Sequence, residues 1–571
     1  MTMMHRLWLL CLFVLAGCSA APLPPTPTPL PPSPLPSPLA ATATVALPTA
    51  VPTLTPAVEA TPAPASPTPL AQPNVVAPVY PAEILFLRNG TLVALDPASG
   101  RERVLAPEAR DVAIDAAGRQ IAIAHGQTIS VIDRQSGEAR VVVRDRAVYG
   151  LSWTPDGLSL AYAAAADPPT LPFNWERWSR WCAAATVAIF DLPTATERAI
   201  GPGCDPVFAS DGRRLAYASP PTVQPAFVPF PGQTNAVRLV NRAGANAWNF
   251  ATADGSPEQG YLVYAPAWSP DAREVAYQRF LGYQALVDVN LTMIADSREG
   301  GGSPVLAGAG WHRPPAFAPD GQRLALVEYN FSDARGFTGY DVWLLALVEL
   351  EGERREVMPS GDLMLRGQLV ARVPRIVAAA WSPDGDALVV LAPSGWNPAI
   401  DRNQTLYVEE APGELWQLSS RGEPQRRLAV QVDFTSPLIW APAGLATAQI
   451  DGGAIMFPAE WEVLPVAQAG EVAATGNGRL VGRRAVADPA LLSESAWPRL
   501  VADWLTVAQA DTPYQLPDGS RLVIFTGQAA NGSPIAGAAR LMDGAIAISY
   551  APQAEWPRYR ATGIGLALAA R

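Results

Sequence analysis

Five aspartates stand in nearly the same surroundings: Asp156 in WTPDG, Asp211 in FASDG, Asp271 in WSPDA, Asp320 in FAPDG and Asp384 in WSPDG. Recurring carboxylates could work as general acids and bases or as oxygen ligands for a hard cation. Their neighbours argue for a turn instead. Proline presets φ near about −65°, aspartate hydrogen-bonds nearby backbone amides, and glycine accepts the left-handed position, which together make a type I turn with a bulge. The five are read as turn residues, and no catalytic residue is assigned.

A second group could bind a ligand. The stretch DPPTLPFNWERWSRWC places Phe173, Trp175, Trp178 and Trp181 just ahead of Cys182. Tryptophans three apart stack along one side of a short helix, where they could anchor a peptide, glycan or partner protein. The alternative is that this helix folds its tryptophans onto the body of the protein. Phe227, Phe230, Tyr283, Phe331, Phe337, Tyr340 and Trp396 lie in comparable segments, and the candidate binding set is Phe173, Trp175, Trp178, Trp181, Tyr340 and Trp396. Asp333, Arg335, Asp341, Asp401 and Arg402 could hold a cation or charged ligand, or be solvated.

Other chemistry is excluded by composition. All 41 basic residues are arginine, so phosphate-loop, Schiff-base and kinase-type lysines are missing. A net charge of −11 opposes a nucleic-acid surface, which depends on cationic neutralisation. Beyond the first twenty or so residues, the histidines are His125 and His312, neither at ligand spacing from a cysteine, so no metal and no cofactor are expected. Cys182 and Cys204 form an even pair and read as a disulfide in an oxidising compartment.

These residues are positioned by a repeat. Besides the five turns, weaker copies occur as IDAAG at Ile114 and WAPAG at Trp440, and each of the seven is followed by a short apolar stretch such as RRLAYAS or REVAYQR. Period-two strands separated by glycine-bearing turns, four to a unit, are the signature of propeller blades. The fold class is therefore all-β, a β-propeller of seven blades with six to eight compatible, over residues 83–458. The strand in EILFLRNGTLVALD is expected to pair with the Trp440 unit and close the ring, leaving no exposed sheet edge.

The W-S-P-D-G core followed by R-L-A-Y resembles the repeat of TolB-like propellers, a WD40-like (PD40) repeat. The resemblance implies an envelope protein-interaction role. Propellers of this kind also cap prolyl-oligopeptidase-like hydrolases, but such an enzyme needs a G-x-S-x-G elbow and a histidine in its own domain, and no histidine follows His312. An enzyme is not expected; a propeller-associated hydrolase or a sensor or structural envelope component are the alternatives. In a propeller the first and second strands join on one face and the second and third on the other. The long segments 164–187, 219–236, 279–290, 329–341 and 393–405 all follow a second strand. They should gather on one face, and long loops of this kind usually carry function.

The chain opens with His5 and Arg6 ahead of an apolar run closing on Leu15, Ala16, Gly17 and Cys18, which resembles a bacterial lipobox. Residues 1–17 are read as the signal and Cys18 as the lipidated first residue of an extracytoplasmic, membrane-tethered protein. Residues 18–82 are a proline-rich linker, with Glu59 the only charge in 22–81. Proline favours extended polyproline II at about 3.1 Å per residue, so this segment is a spacer. Residues 459–571 are read as a small α+β module, with an amphipathic helix over 488–509 and strands in QLPDGSRLVIFTGQ, AGAARLMDGAIAISYAP and TGIGLALAA. The expected partner is an envelope protein, peptide or glycan, with the membrane reached through the lipid, no nucleic acid, and a monomeric state.

Overall fold

The computed structural model describes residues 74–76, 80–223, 233–256, 259–284, 287–329, 343–358, 361–398, 411–450, 453–458, 461–464, 472–476, 480–486, 496–516 and 518–569. Cys18, Phe227, Phe230, Phe331, Asp333, Arg335, Phe337, Tyr340, Asp341, Asp401 and Arg402 lie outside the described residues.

Seven antiparallel sheets follow one another along the chain, each with its innermost strand ending at a motif. The innermost strands of blades two to five are Ala109–Ile114, Ala147–Trp153, Cys204–Phe208 and Leu262–Trp268. Blade six begins with the interrupted pair Trp311–His312 and Ala316–Phe317, and blade seven with Ala378–Trp381. Blade one takes its inner strand from the far end of the ring: Glu83–Arg88 pairs with Ile439–Ala441, with Ile84 opposite Trp440. That pairing is the expected closure, and it removes two sheet edges at once.

The motif turns behave as the residue types predict. Asp156, Asp211, Asp271, Asp320 and Asp384 each accept a hydrogen bond from the amide two residues on, at 2.9 to 3.1 Å. Gly157 has φ +66° and Gly385 +77°, while Ala272 occupies the same left-handed region at +57° in the copy that lacks glycine.

The tryptophans of the motif join blades in pairs. The indole of Trp153 donates to the Ala113 carbonyl at 3.2 Å, Trp268 to Val207 at 3.1 Å and Trp381 to Ala316 at 3.0 Å, each reaching the inner strand of the preceding blade. Phenylalanine at 208 and 317 packs the same space without a donor. Replacing Trp268 by phenylalanine keeps an aromatic ring in place and leaves the Val207 carbonyl unpaired. The expected loss is about 1 to 2 kcal/mol of unfolding free energy, read from the denaturant midpoint; an unchanged midpoint would assign the blade contact to the ring alone.

The last strand of the ring ends at Ala441. Leu445–Ile450 and Gly453–Pro458 then form a three-stranded sheet with Asn74–Val76. Beyond it lies a large antiparallel sheet containing Leu505–Ala510, Arg521–Ala529, Pro534–Met542 and Ala545–Pro552. Two elements differ from expectation. Among the described residues of 488–509 only Trp497–Leu500 is helical; Leu505 begins a strand opposite Ala529. Trp497, Val501, Trp504 and Leu505 are nonetheless all buried, so the apolar pattern marked a covered face while strand pairing decided the conformation. Conversely, TGIGLALAA lies in the helix Trp556–Ala569 rather than a strand. Its glycines permit close packing: a Cβ on Gly563 would fall 2.8 Å from the Trp556 ring, and Ser549 Oγ donates to the Gly563 carbonyl at 2.5 Å.

This module rests on the motif face. Arg213, in the turn of blade four, pairs with Asp511 at 3.4 Å, and Gly565 lies against Ala116. A cleft of about 730 Å³ runs between the motif turns at Asp115 and Asp156 and the module residues Asp518, Arg540 and Asp543.

Candidate functional site

Second strands run from the motif turn toward the opposite face, so the segments that follow them emerge there together. The first holds the helix Trp175–Ala184, capped by Asn174 accepting from Arg177 N at 2.8 Å. A disulfide joins Cys182 to Cys204, the first residue of the blade-four inner strand. The segment around 279–290 is not a loop: Glu274–Gln284 and Val287–Asp296 continue as one long hairpin.

The tryptophan helix packs one side into the central core and leaves Glu176, Arg180, Ala183 and Ala184 exposed. Trp178 is 1% exposed and Trp181 4%. Trp175 and Phe173 are half-buried against the central core, and Trp396 is buried elsewhere on the same face, edge-on to Trp416 at 5.3 Å. Trp178, Trp181 and Trp396 are thus packed into the core, as in the alternative reading, and are not exposed anchors. Closing one end of the ring outweighs display, because a tryptophan buries a large apolar area.

One cavity remains beside this plug, of about 110 Å³, lined by Tyr149, Phe173, Trp178, Asp205, Tyr264, Trp311, His312, Arg313, Tyr329 and Trp343 among others. It reaches the surface, since Pro314 is exposed and Tyr149, Phe173 and Arg313 are half-buried. Its walls are aromatic pairs: Tyr264 stacks on Trp311 at 3.7 Å, Tyr329 on Trp343 at 4.3 Å, and Phe173 meets Tyr149 edge-on at 5.5 Å. Sequence reasoning found Phe173 and Trp178 but missed the rest. A signal was present: Tyr149, Tyr264 and Arg313 each stand four residues before the motif aromatic of their blade, where the inner strand faces the axis.

The polar groups here are few and desolvated. Asp205 accepts from the Trp178 indole at 2.8 Å and from Ala265 N at 3.1 Å. Removal from water pushes its carboxyl up to about 6 against those two bonds. Arg313 lies 5.4 Å from the centre of the Trp343 ring, and burial lowers its pKa. His312 is fully buried, with no hydrogen-bond partner at either ring nitrogen, and burial, aided by Arg372, brings its pKa down to about 3, so the imidazole is neutral. Across the ladder from His312 stands Glu328, pushed up to about 7 by burial. Gly308 fits against both, since a Cβ there would lie 2.7 Å from each. Among the described residues no cluster of three or more histidine, cysteine or carboxylate side chains could hold a metal, and no helix is long and apolar enough to cross a membrane.

The class defined by these features is a seven-bladed β-propeller with an aromatic axial cavity on one face and an α+β module on the other. No protein-family model matches the sequence and no curated protein is significantly similar to it. Among solved structures, TolB from Acinetobacter baumannii is similar with 14% identity over 51% of this chain and 65% of that chain, at a TM-score of 0.31. A chain of the mitotic checkpoint complex aligns over 71% of this chain and 96% of that one, with 14% identity and a TM-score of 0.34. The tricorn protease aligns over 65% of this chain and 36% of that one, with 12% identity and a TM-score of 0.39.

Proposed function

We propose that this protein is an extracytoplasmic binding protein, held to a bacterial membrane through lipid on Cys18, whose propeller captures an envelope protein, peptide or glycan without turning it over. The observation that carries the reading is the aromatic cavity on the insertion face, assembled from several blades, with the opposite face occupied by the C-terminal module. Aromatic side chains at the centre of a concave patch supply most of the energy in typical recognition sites. A proline-rich spacer between lipid and propeller gives that face reach. The acidic balance of the chain disfavours nucleic acid as the partner, and the monomer is the binding unit.

A photo-crosslinking residue placed at exposed Arg180, beside the cavity, is expected to capture one partner in native envelopes, whereas the same residue at exposed Asp386 on the motif face captures none. Cys18→Ser is expected to move the protein from the membrane to the soluble fraction. Equal capture from both faces would overturn the assignment of the binding face, and unchanged membrane association would overturn the anchor.

A further inference from the structure

We propose that the axial cavity is a carboxylate site: Arg313 holds the acid group of the ligand, and the apolar group next to it lies between Phe173 and Trp343. The inference rests on the binding role argued above and names the chemistry recognised there.

Arg313 is the reason. Among the described residues no carboxylate lies within salt-bridge distance of its guanidinium, which lies 5.4 Å from the centre of the Trp343 ring. The other formal charge on the wall, Asp205, is already satisfied by the Trp178 indole and Ala265 N. The guanidinium is half-buried beside Tyr149, Tyr329 and Trp343, a wall of low polarity on which charge-assisted hydrogen bonds to an anion are stronger than in open water. The planar fork of an arginine suits two parallel hydrogen bonds to a carboxylate. Adjacent His312 also lines the cavity and is neutral, with no hydrogen-bond partner at either ring nitrogen. Both groups call for an acceptor-rich ligand.

Size limits the candidate further. A cavity of about 110 Å³ holds the volume of roughly four waters. That accommodates a carboxylate and a short apolar group, not a whole peptide or sugar chain. The cavity therefore takes the carboxylate end of its ligand, a small aryl or acyl acid or the free C-terminus of a peptide, whose remainder lies at the open mouth or outside.

The test uses the full chain in detergent and four probes: 3-phenylpropionate, 3-phenylpropionamide, and N-acetyl-Gly-Phe with a free or an amidated C-terminus, with binding read by calorimetry. Each acid is expected to bind at least about tenfold more tightly than its amide, Arg313→Gln to abolish that preference, and Arg313→Lys to restore part of it. Tighter binding of the free-acid peptide than of 3-phenylpropionate points to a chain terminus as the source, and the reverse order to a small acid. Should Arg313→Gln fail to fold, the acid-to-amide ratio in the unaltered protein still decides. Equal affinity for acid and amide overturns the carboxylate assignment. So does the absence of any probe binding while Arg180 still captures its partner, which leaves the binding role standing; loss of both overturns the two together.

Discussion

Replacing Trp178 by alanine is expected to lower the unfolding free energy by about 4 to 5 kcal/mol, the largest single-residue effect on the insertion face. Trp178 is 1% exposed and touches Tyr264 at 5.5 Å and Trp311 at 5.8 Å between ring centres. Truncation removes a buried aromatic from an axis that cannot collapse, because seven sheets hold its walls apart. It also takes away one of the two donors to Asp205. That carboxyl, already raised to about 6 by burial, should rise further once the indole bond that opposes the shift is gone. Trp178→Phe separates the contributions: most of the ring contact survives, the bond to Asp205 does not, and the expected loss falls to about 2 kcal/mol. Unfolding followed by circular dichroism in urea gives both values. A loss below about 1 kcal/mol for the alanine variant would mean that the helix is a surface appendage and not part of the core.

Much of this architecture could be read before any coordinates, and the reason is local. A W-S-P-D-G turn encodes its own conformation in five residues, so its recurrence located every inner strand and, by strand direction, the face where the insertions emerge. The pairing of Cys182 with Cys204 was equally accessible, since few partners existed. What was not accessible depended on tertiary context. Trp178 reads as a surface anchor or a buried plug with equal ease, and only the position of the ring axis distinguishes them. Arg313 carries no mark in its own segment; its role follows from Tyr329 and Trp343, which reach it from other strands of the same blade. In the C-terminal module, Leu505 has helical spacing with its neighbours, yet the open edge of Arg521–Ala529 draws it into a strand.

Replacing Glu83 by glutamine is expected to destabilise the protein by about 3 to 4 kcal/mol at neutral pH, because it breaks the junction where the ring closes. Glu83 accepts from Arg103 at 2.7 Å and from Arg134 at 2.7 Å, and both Glu83 and Arg134 are withdrawn from solvent. Arg134 also donates to the carbonyls of Gly118 and Pro442, so one guanidinium ties blade two to the segment that follows the closing strand. Without the carboxylate this buried cation is left uncompensated. Adding Arg134→Met should recover part of the loss, since an apolar side chain of similar length needs no counter-charge. The pH dependence has a definite sign. Burial alone would raise the Glu83 carboxyl, but hydrogen bonds from Arg103 and Arg134 overcome it and hold the group below its ordinary 4.5. A lowered folded-state pKa gives stability that is complete above the unfolded value and is lost as pH falls through the folded one. The gap between the parent protein and Glu83→Gln should thus be full at pH 7 and narrow below about pH 4. The parent profile alone would not reveal this, because Asp111, Asp115 and Asp205, raised to about 6, and Glu328, raised to about 7, act in the opposite direction and favour the folded state as the pH drops from neutrality. Those four are common to both proteins and cancel in the difference. A gap that stays constant from pH 7 to pH 3 would show that Glu83 acts through packing and not through its charge.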